Sequence, residues 1–320
     1  MRTARNLCLT QRGNILAIGC SALLITWIAT FAKADEISPD WVSLGKLPFH
    51  DKGGHTPQGL TAIDQGRLLL AISLDDEKTM GYVIRPQSRS FRIEAEFQFP
   101  PAAVHTSGLD WYQGELWACD YVSGKVYVID LANSLRKGHA VVRREYSSGL
   151  KGLSALAIAP IGSKTYLVIN DFMRSRTTYL TPLGALDATS TVIAQAESSY
   201  RNLGYPQGLL YLEQDQDAFL LEPSNRLGTD TIPVLKAREV LTIRSGRRAE
   251  VARIKAPYKM VEDIARIGKK LYITDEASRE MYVTDLPSFF SSRSPNPIAS
   301  FDALVYRLTR SVLRSPAADS

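Results

Sequence analysis

Cysteine is nearly absent from this chain, which has three among 320 residues. Cys8 and Cys20 lie in an N-terminal segment unlike the rest, so the remaining sequence carries a single thiol, Cys119. One thiol cannot form an internal disulfide, which excludes a disulfide-stabilised scaffold. Cys119 lies in the apolar stretch LWAC, which predicts a small buried strand residue rather than a reactive thiolate.

Several motifs of catalysis and ligand binding are also missing. The sequence has no GxSxG nucleophile elbow, no HExxH helix, no CxxC pair and no glycine-rich phosphate loop. Their absence argues against the common serine-hydrolase, zinc-protease and nucleotide-binding classes. Any chemistry must come from residues brought together by the fold.

The first 34 residues resemble an export signal. Arg2, Arg5 and Arg12 precede an apolar run from Ile15 to Phe31, and the small-x-small sequence Ala32-Lys33-Ala34 follows. This pattern predicts a secretory signal cleaved after Ala34, with an uncleaved membrane anchor as the alternative, and so a periplasmic or secreted protein.

Export changes the charge balance of the chain. The segment removes three arginines and one lysine but no acid, which lowers the formal net charge from +5 to +1. The mature chain therefore lacks the basic excess of a nucleic-acid-binding protein.

A short motif recurs along the chain at a period of about fifty residues. The segments PQGL, TSGL, LSAL, PQGL and VEDI end at positions 60, 109, 156, 209 and 264, with spacings of 49, 47, 53 and 55. Each unit holds short runs rich in Val, Ile, Tyr and Leu with turn residues between them, which predicts three or four antiparallel strands.

This repeat predicts an all-β fold, a β-propeller with five blades. The fifth unit lacks an outer strand, and the N-terminal segment WVSLGKLPF (41–49) is expected to supply it and close the ring. A sixth blade would have to come from the C-terminal tail. The expected organisation is a signal peptide at 1–34, the propeller at 35–290 and a linker and tail at 291–320, in which the tail forms either a short basic amphipathic helix or a frayed end.

The repeated motif also predicts a site. The inner strand of each blade begins beside the central channel, so the side chains just ahead of the aligned Leu or Ile should converge there. The predicted ligand-binding residues are Gln58, Ser107, Ser154, Gln207, His55, His105 and Asp263.

Glu262 is the candidate catalytic residue. It is the one acid at the aligned position, and a carboxyl group in a partly dry channel can have a raised pKa and act as an acid or base. His55 and His105 could hold a divalent metal in the channel, but the sequence leaves both the metal and any other cofactor unknown. For each residue the alternative is a structural or solvating role.

A second position repeats at the end of the next strand. It is occupied by Asp75, Asp120, Asn170, Glu222 and Asp275. A short acid or amide there accepts N–H groups of the following turn, so these residues are predicted to be structural.

Two of these patterns are similar to those of known families. The segments at 270–286 (KLYITDEASREMYVTDL) and 115–131 (ELWACDYVSGKVYVIDL) resemble NHL- and lactonase-type propellers. The lactonases place a metal-binding asparagine in PNGL, where this chain has Gln207. The PQGL motif following His-Thr resembles the secreted glutamine cyclotransferases, five-bladed propellers that carry a glutamate in their second blade where this chain has Ser107.

Three functions are consistent with these patterns. The first is binding of a small molecule, glycan or peptide end at the central channel. The second is a hydrolase, lactonase or glutamine-cyclotransferase-like enzyme that uses Glu262. The third is a protein-interaction scaffold acting through rim loops. Membrane contact would require an uncleaved signal or a lipid-binding tail.

Overall fold

The computed structural model of the chain describes residues 34–48, 51, 55–75, 77–172, 176–224, 231–258 and 260–289. The predicted signal segment up to residue 33, the whole of the predicted linker and tail at 291–320, and residues 225–230 lie outside the described residues. Along the described ranges, no helix has the length and apolar character needed to cross a membrane.

The described residues form five sheets arranged as the blades of a propeller. The chain begins with β1 (Asp35–Ile37) and β2 (Val42–Lys46), which join the last two blades. Blade 1 contains β3 (His55–Ile63), β4 (Arg67–Leu74), β5 (Lys78–Pro86) and β6 (Phe91–Gln98). Blade 2 contains β7 (Thr106–Tyr112), β8 (Glu115–Asp120), β9 (Lys125–Ile129) and β10 (Val142–Ser147). Blade 3 contains β11 (Leu153–Ile161), β12 (Lys164–Asp171), β13 (Thr177–Pro182) and β14 (Ser198–Arg201). Blade 4 contains β15 (Leu210–Gln214), β16 (Asp217–Leu221), β17 (Thr231–Lys236) and β18 (Glu250–Lys255). Blade 5 contains β19 (Val261–Ile267), β20 (Lys270–Asp275) and β21 (Glu280–Asp285).

The first strand of each blade lies at the hub. Contacts between these inner strands run from β3 to β7, β11, β15, β19 and back to β3. The inner strands of neighbouring blades meet at the end where each strand begins. The first residues of these strands therefore lie together on one face of the hub. This face is called the entry face below.

The N-terminal strand closes the ring as the sequence predicted. β2 pairs antiparallel with β21, with Val42 opposite Val283, and so completes blade 5. The buried side chain of Leu44 packs with Leu60 and Met281 in a core cluster that joins blades 5 and 1. Closure with the chain's own beginning covers the edge that β21 would otherwise expose.

One strand was not anticipated. β1 adds to the outer edge of blade 4 in parallel with β18, with Glu36 opposite Arg253, and makes this a five-stranded sheet. The Trp41 indole N–H donates to the Lys255 carbonyl oxygen at 2.7 Å and holds the connection between β1 and β2 against blade 4. The N-terminal segment therefore ties two blades together.

The hydrophobic core lies between blades, where apolar faces of adjacent sheets meet. Phe97 of blade 1 packs with Tyr127 of blade 2, for example, and Leu220 of blade 4 packs with Val168 of blade 3. The strands bury both faces, which explains their nearly continuous apolar runs. Cys119 is fully buried in such a layer, where burial raises the pKa of its thiol and keeps it neutral.

Helices are short and lie in the connections. Helix α1 (Leu131–Lys137) joins β9 to β10. Asp130 caps it by accepting the Asn133 N–H at 3.0 Å, and Gly138 ends it at a φ of 73°. Helix α2 (Gly246–Ala249) precedes β18. Single 3₁₀ turns occupy Asp64–Gly66, Leu183–Ala185, Ile193–Gln195 and Glu239–Leu241.

Candidate functional site

The recurring motif coincides with a β-bulge in the inner strand. The register shifts between Pro57 and Leu60, Thr106 and Gly108, Leu153 and Ala155, and Val261 and Asp263. The extra residues are Gln58 with Gly59, Ser107, Ser154 and Glu262. A bulge turns a side chain away from the regular alternation of a strand. In blades 1, 2, 3 and 5 the repeated sequence therefore marks the point at which the inner strand redirects one polar side chain at the entry face.

Blade 4 departs from this arrangement. Its inner strand begins at Leu210, and Gln207 lies ahead of it in a segment that pairs through Pro206 with Ser224. The Gln207 N–H donates to the Pro223 carbonyl oxygen at 2.9 Å, which fixes the backbone from which its side chain extends.

The glycines of the motif allow the inner strands to approach one another. A Cβ atom on Gly208 would lie 2.3 Å from Asp263 Oδ1, and one on Gly108 would lie 2.7 Å from the Leu156 nitrogen. Gly59 faces Leu109 in the same way, at 2.6 Å from its Cγ atom. Larger side chains at these positions would push neighbouring blades apart.

Glu262 is the centre of the candidate site. Its carboxyl group is buried and receives the Gln207 side-chain N–H at 3.2 Å and 3.0 Å on its two oxygens. It also hydrogen-bonds to the carboxyl group of Glu276, which is half-buried after the end of β20. Burial, then the charge of Glu276 and the hydrogen bond to it, raise the pKa of Glu262 well above its usual value.

This arrangement supplies a proton-holding acid. Two carboxyl groups in contact do not both ionise easily, so the pair binds a proton more tightly than an isolated glutamate does. Gln207 Nε2 can only donate, which leaves the Glu262 proton to be shared with Glu276. The pair therefore links a buried acid to a partly exposed one.

Asp263 has a different role from its neighbour. Its carboxyl group accepts the N–H of Leu60 at 2.7 Å, that of Ile264 at 2.8 Å, and the N–H of Leu209. These bonds join blade 5 to blades 1 and 4 at the hub. Burial raises its pKa well above the usual value despite these donors. Among the predicted ligand-binding residues, Asp263 is used by the fold itself.

The remaining polar residues of the motif are also buried. Ser107 donates to the Leu153 carbonyl oxygen at 2.7 Å and so ties blade 2 to blade 3. The Ser154 hydroxyl is buried with no hydrogen-bond partner among the described residues. Gln58 is buried within the bulge of β3. Of the predicted set, Gln207 and Glu262 are in direct contact, and Asp263 is adjacent to Glu262 in sequence.

The two predicted histidines lie at different blades. The Nε2 atom of His55 is 3.9 Å from Asp75 Oδ2 at the start of β3. The ring of His105 lies 5.4 Å from that of Tyr121 in blade 2. Over the ranges that the structure describes, histidine, cysteine and acidic side chains do not gather in groups of three or more that could hold a metal ion.

A chain of rings, named here the aromatic arc, lies where the second strands of blades 2 and 3 end and where the Gln207 segment begins. It consists of His105, Tyr121, Phe172 and Tyr205. Centroid distances along it are 5.4 Å, 6.0 Å and 5.5 Å, and the Arg176 guanidinium lies 5.4 Å from the centroid of the Tyr205 ring. Each ring is half-buried, so the arc presents aromatic surface on the side of the hub that also carries Gln207.

The residues at the second repeated position, which ends the second strand of each blade, fall into two groups. Asp120 accepts the N–H groups of His105 and Ser123, both at 2.7 Å, and Asp275 accepts those of Met260 and Ser278, at 3.1 Å and 2.7 Å. Both therefore have the predicted structural role, holding the segment ahead of the inner strand as well as the turn.

Asn170 and Glu222 instead meet in a buried polar network between blades 3 and 4. Thr178 donates to Asn170 Oδ1 at 2.5 Å and lies 3.3 Å from Glu222 Oε1, and Tyr200 donates its hydroxyl proton to the same Glu222 oxygen. Burial raises the pKa of Glu222 to about 7. Glu222 Oε2 and Asn170 Nδ2 have no partner among the described residues. Their neighbours Thr178 and Tyr200 carried no motif by which sequence could find them.

Comparison with known proteins identifies a fold but no family. No protein-family model matches the chain, and no curated protein matches it at a significant level. A crystal structure of glutaminyl cyclase from Myxococcus xanthus is similar, with a TM-score of 0.53 and 9% identity, over 79% of this chain and 100% of that one. This identity supports a shared fold only. The resemblance of the PQGL motif to glutamine cyclotransferases is thus confirmed at the level of the five-bladed propeller, whereas the lactonase resemblance receives no support.

Proposed function

We propose that the entry face of the hub binds a small polar ligand, such as a small molecule or the end of a peptide, and that Glu262 exchanges a proton with it. The observation that carries this proposal is the contact of Gln207 and Glu276 with the buried carboxyl group of Glu262. An acid that keeps its proton at neutral pH can donate it to a ligand oxygen or nitrogen.

Other features of the same face support a ligand site. The aromatic arc offers ring faces for an apolar or cationic part of the ligand. The unsatisfied Ser154 hydroxyl offers a hydrogen bond close to the hub. A pocket with apolar walls and a few convergent polar groups is the usual form of a small-molecule site.

A second candidate function is intramolecular acyl transfer on an N-terminal glutamine, as the name of the glutaminyl cyclase implies for that protein. The α-amino group would attack the side-chain amide carbon, forming the lactam C–N bond while the amide C–N bond breaks and ammonia leaves. Protonated Glu262 would supply the proton that the leaving nitrogen needs, and the proton lost by the attacking α-amino nitrogen would return to the Glu262–Glu276 pair, which is thereby restored. The protonated acid favours this candidate.

The test uses a glutaminyl dipeptide amide as the probe, with Glu262→Gln and the surface variant Glu145→Gln as a matched control. Glu145 lies on β10, the outer strand of blade 2, and its carboxylate is paired with Lys125 of β9. Calorimetry measures binding, and an ammonia assay measures cyclisation. Binding lost in Glu262→Gln but kept in Glu145→Gln supports the site, and ammonia release with the same dependence supports the enzyme.

Other results count against these proposals. If the dipeptide binds without ammonia release, the cyclase candidate is wrong and the binding function stands. If neither the dipeptide nor a panel of small amides, lactones and sugars shifts the melting temperature of the wild-type protein more than that of Glu262→Gln, the entry face is not a ligand site.

A further inference from the structure

A groove on the rim between blades 3 and 4 is separate from the entry-face site. Its volume is about 560 Å³, within the range of small-ligand pockets. One wall is the outer strand of blade 3, including Ser198, Ser199 and Arg201, and the other is the connection ahead of β18, including Thr242 and Arg244. The two walls are held together because the Arg201 N–H donates to the Arg244 carbonyl oxygen at 3.3 Å.

Two arginines line this groove and two more follow in the adjacent helix α2, and the groove with these four residues is named here the arginine groove. Arg201 and Arg244 line the groove, and Arg247 and Arg248 follow in helix α2, which begins beside Arg201 at Gly246. All four side chains are exposed. Within the described ranges, none of the four forms a salt bridge or a side-chain hydrogen bond.

Arginines elsewhere in the described ranges commonly have acidic partners. Arg85 pairs with Glu94 at 2.6 Å, and Arg143 pairs with Asp130 at 2.7 Å. The acid on the groove wall, Glu197, is bound by Lys164 at 2.7 Å and does not neutralise these guanidinium groups. Four unpaired positive charges beside a concave surface are complementary to an anion.

The walls indicate what kind of anion fits. Thr177, Ser198, Ser199, Thr242 and the half-buried Tyr179 line the groove, whereas the side chain of Tyr200 is buried. Sugar rings present hydroxyl groups to such a surface and can stack their C–H faces on aromatic rings. Guanidinium groups bind carboxylate and sulfate groups through paired hydrogen bonds.

Two other partners fit less well. The large hydrophobic side chains most exposed among the described residues (Val42, Ile93, Val122, Val142 and Tyr258) lie away from this groove, so it lacks the apolar anchors of a membrane-binding surface. A uniformly acidic peptide would place negative charges next to the carboxylate of Glu197, which repels them. An acidic oligosaccharide fits better because its charges are separated by the length of a sugar ring.

We propose that the arginine groove binds an acidic oligosaccharide, one bearing carboxylate or sulfate groups on its sugar rings. This site is independent of the proposed function at the hub, so either can fail without the other.

The experiment measures binding of an oligogalacturonate and of a sulfated oligosaccharide at about 0.1 M salt, where interactions between distant surface charges are screened. Maltohexaose is the neutral control. The test variant is Arg201→Gln/Arg244→Gln, and Arg89→Gln with Arg92→Gln is the control that removes the same charge from an exposed turn and strand of blade 1. We expect at least one acidic sugar to bind, with affinity reduced about tenfold or more in the test variant and unchanged in the control.

Three outcomes would overturn the proposal. The first is absence of binding by both acidic sugars. The second is equal weakening in the two double variants, which would mean a general charge effect. The third is stronger binding of a poly-glutamate peptide or of phosphatidylglycerol vesicles than of either acidic sugar, which would assign the groove to another kind of partner. Circular dichroism of both variants checks that the propeller is intact.

Discussion

The side-chain amide of Gln207 donates to both oxygens of Glu262, at 3.2 Å and 3.0 Å, although the two residues are 55 positions apart in the chain. They occupy equivalent positions in blades 4 and 5, so the repeat itself brings them together at the hub. Gln207 supplies the donor and Glu262 the acid, and together with Glu276 they form a polar group that a simple packing role does not require.

Replacing Glu276 with glutamine should lower the pKa of Glu262. The change removes the neighbouring charge and the carboxyl–carboxyl hydrogen bond that raise this pKa, while burial remains. Carbon-13 NMR of the glutamate carboxyl groups as a function of pH measures the shift directly, with Glu262→Gln used to assign the resonance. An unchanged or higher Glu262 pKa in Glu276→Gln would contradict the proton-sharing pair.

Glu222 should make the protein less stable as pH rises from about 4.5 to about 7. The ordinary glutamate pKa is 4.5, and burial raises that of Glu222 to about 7. Between these values the folded state holds a proton that the unfolded state has released, so the free energy of unfolding falls with pH, by about 3 kcal/mol in total.

The variant Glu222→Gln removes this titration and preserves the shape. Urea unfolding at several pH values from 4.5 to 8 measures the effect. The wild-type curve should fall relative to that of the variant, and the variant should be the more stable protein at pH 8. Because Glu262 and Asp263 contribute slopes of the same sign to both proteins, the difference between the curves isolates Glu222. Parallel curves would mean that Glu222 has the same pKa in the folded and the unfolded state.

Replacing Gly208 with alanine should destabilise the hub by about 3 kcal/mol. The added Cβ would lie 2.3 Å from Asp263 Oδ1 and 2.8 Å from its Cα atom, so either the blades separate or Asp263 gives up its N–H partners. Gly184→Ala is the matched control, because a Cβ there has no neighbour within 4 Å. Chemical denaturation should find the control within about 0.5 kcal/mol of wild type. Equal stability of both variants would show that the hub is loosely packed.

Sequence was sufficient for the architecture because the same short motif opens every blade. The spacing of the aligned Leu and Ile residues predicted five modules, and the missing outer strand of the fifth predicted closure by the N-terminal segment. It did not predict β1, since a three-residue strand at Asp35–Ile37 leaves too few residues for an alternating pattern. The sequence did not predict helix α1 either, because seven residues are too few for helical periodicity to be distinct.

The candidate site was predictable only where it follows the repeat. The sequence predicted Gln207 and Glu262 because both occupy the aligned position of the repeat. Glu276 lies outside the aligned positions, and its contact with Glu262 forms only when β20 folds back on β19. The aromatic arc depends on ring contacts among three blades. Conversely, the alignment placed Asn170 and Glu222 in one group with Asp120. The uncharged side chain of Asn170 and the longer one of Glu222 make different hydrogen bonds from those of Asp120. The sequence predicts where a residue lies along the repeat. Its hydrogen-bond partners depend on the length of its side chain and on the residues of the neighbouring blade.

Leu44→Ala should weaken the closure of the ring. Leu44 is 2% exposed in β2 and packs against the apolar residues shared by blades 5 and 1, so its truncation leaves a cavity and should cost about 3 kcal/mol. Val42 lies on the same strand but is 43% exposed, and Val42→Ala should cost less than about 1 kcal/mol. Hydrogen exchange measured by mass spectrometry locates the effect. Faster exchange confined to β2 and β21 in Leu44→Ala would show that this strand opens before the other blades. Uniformly faster exchange would instead mean that closure and global folding are a single event, because the ring cannot then lose its final strand alone.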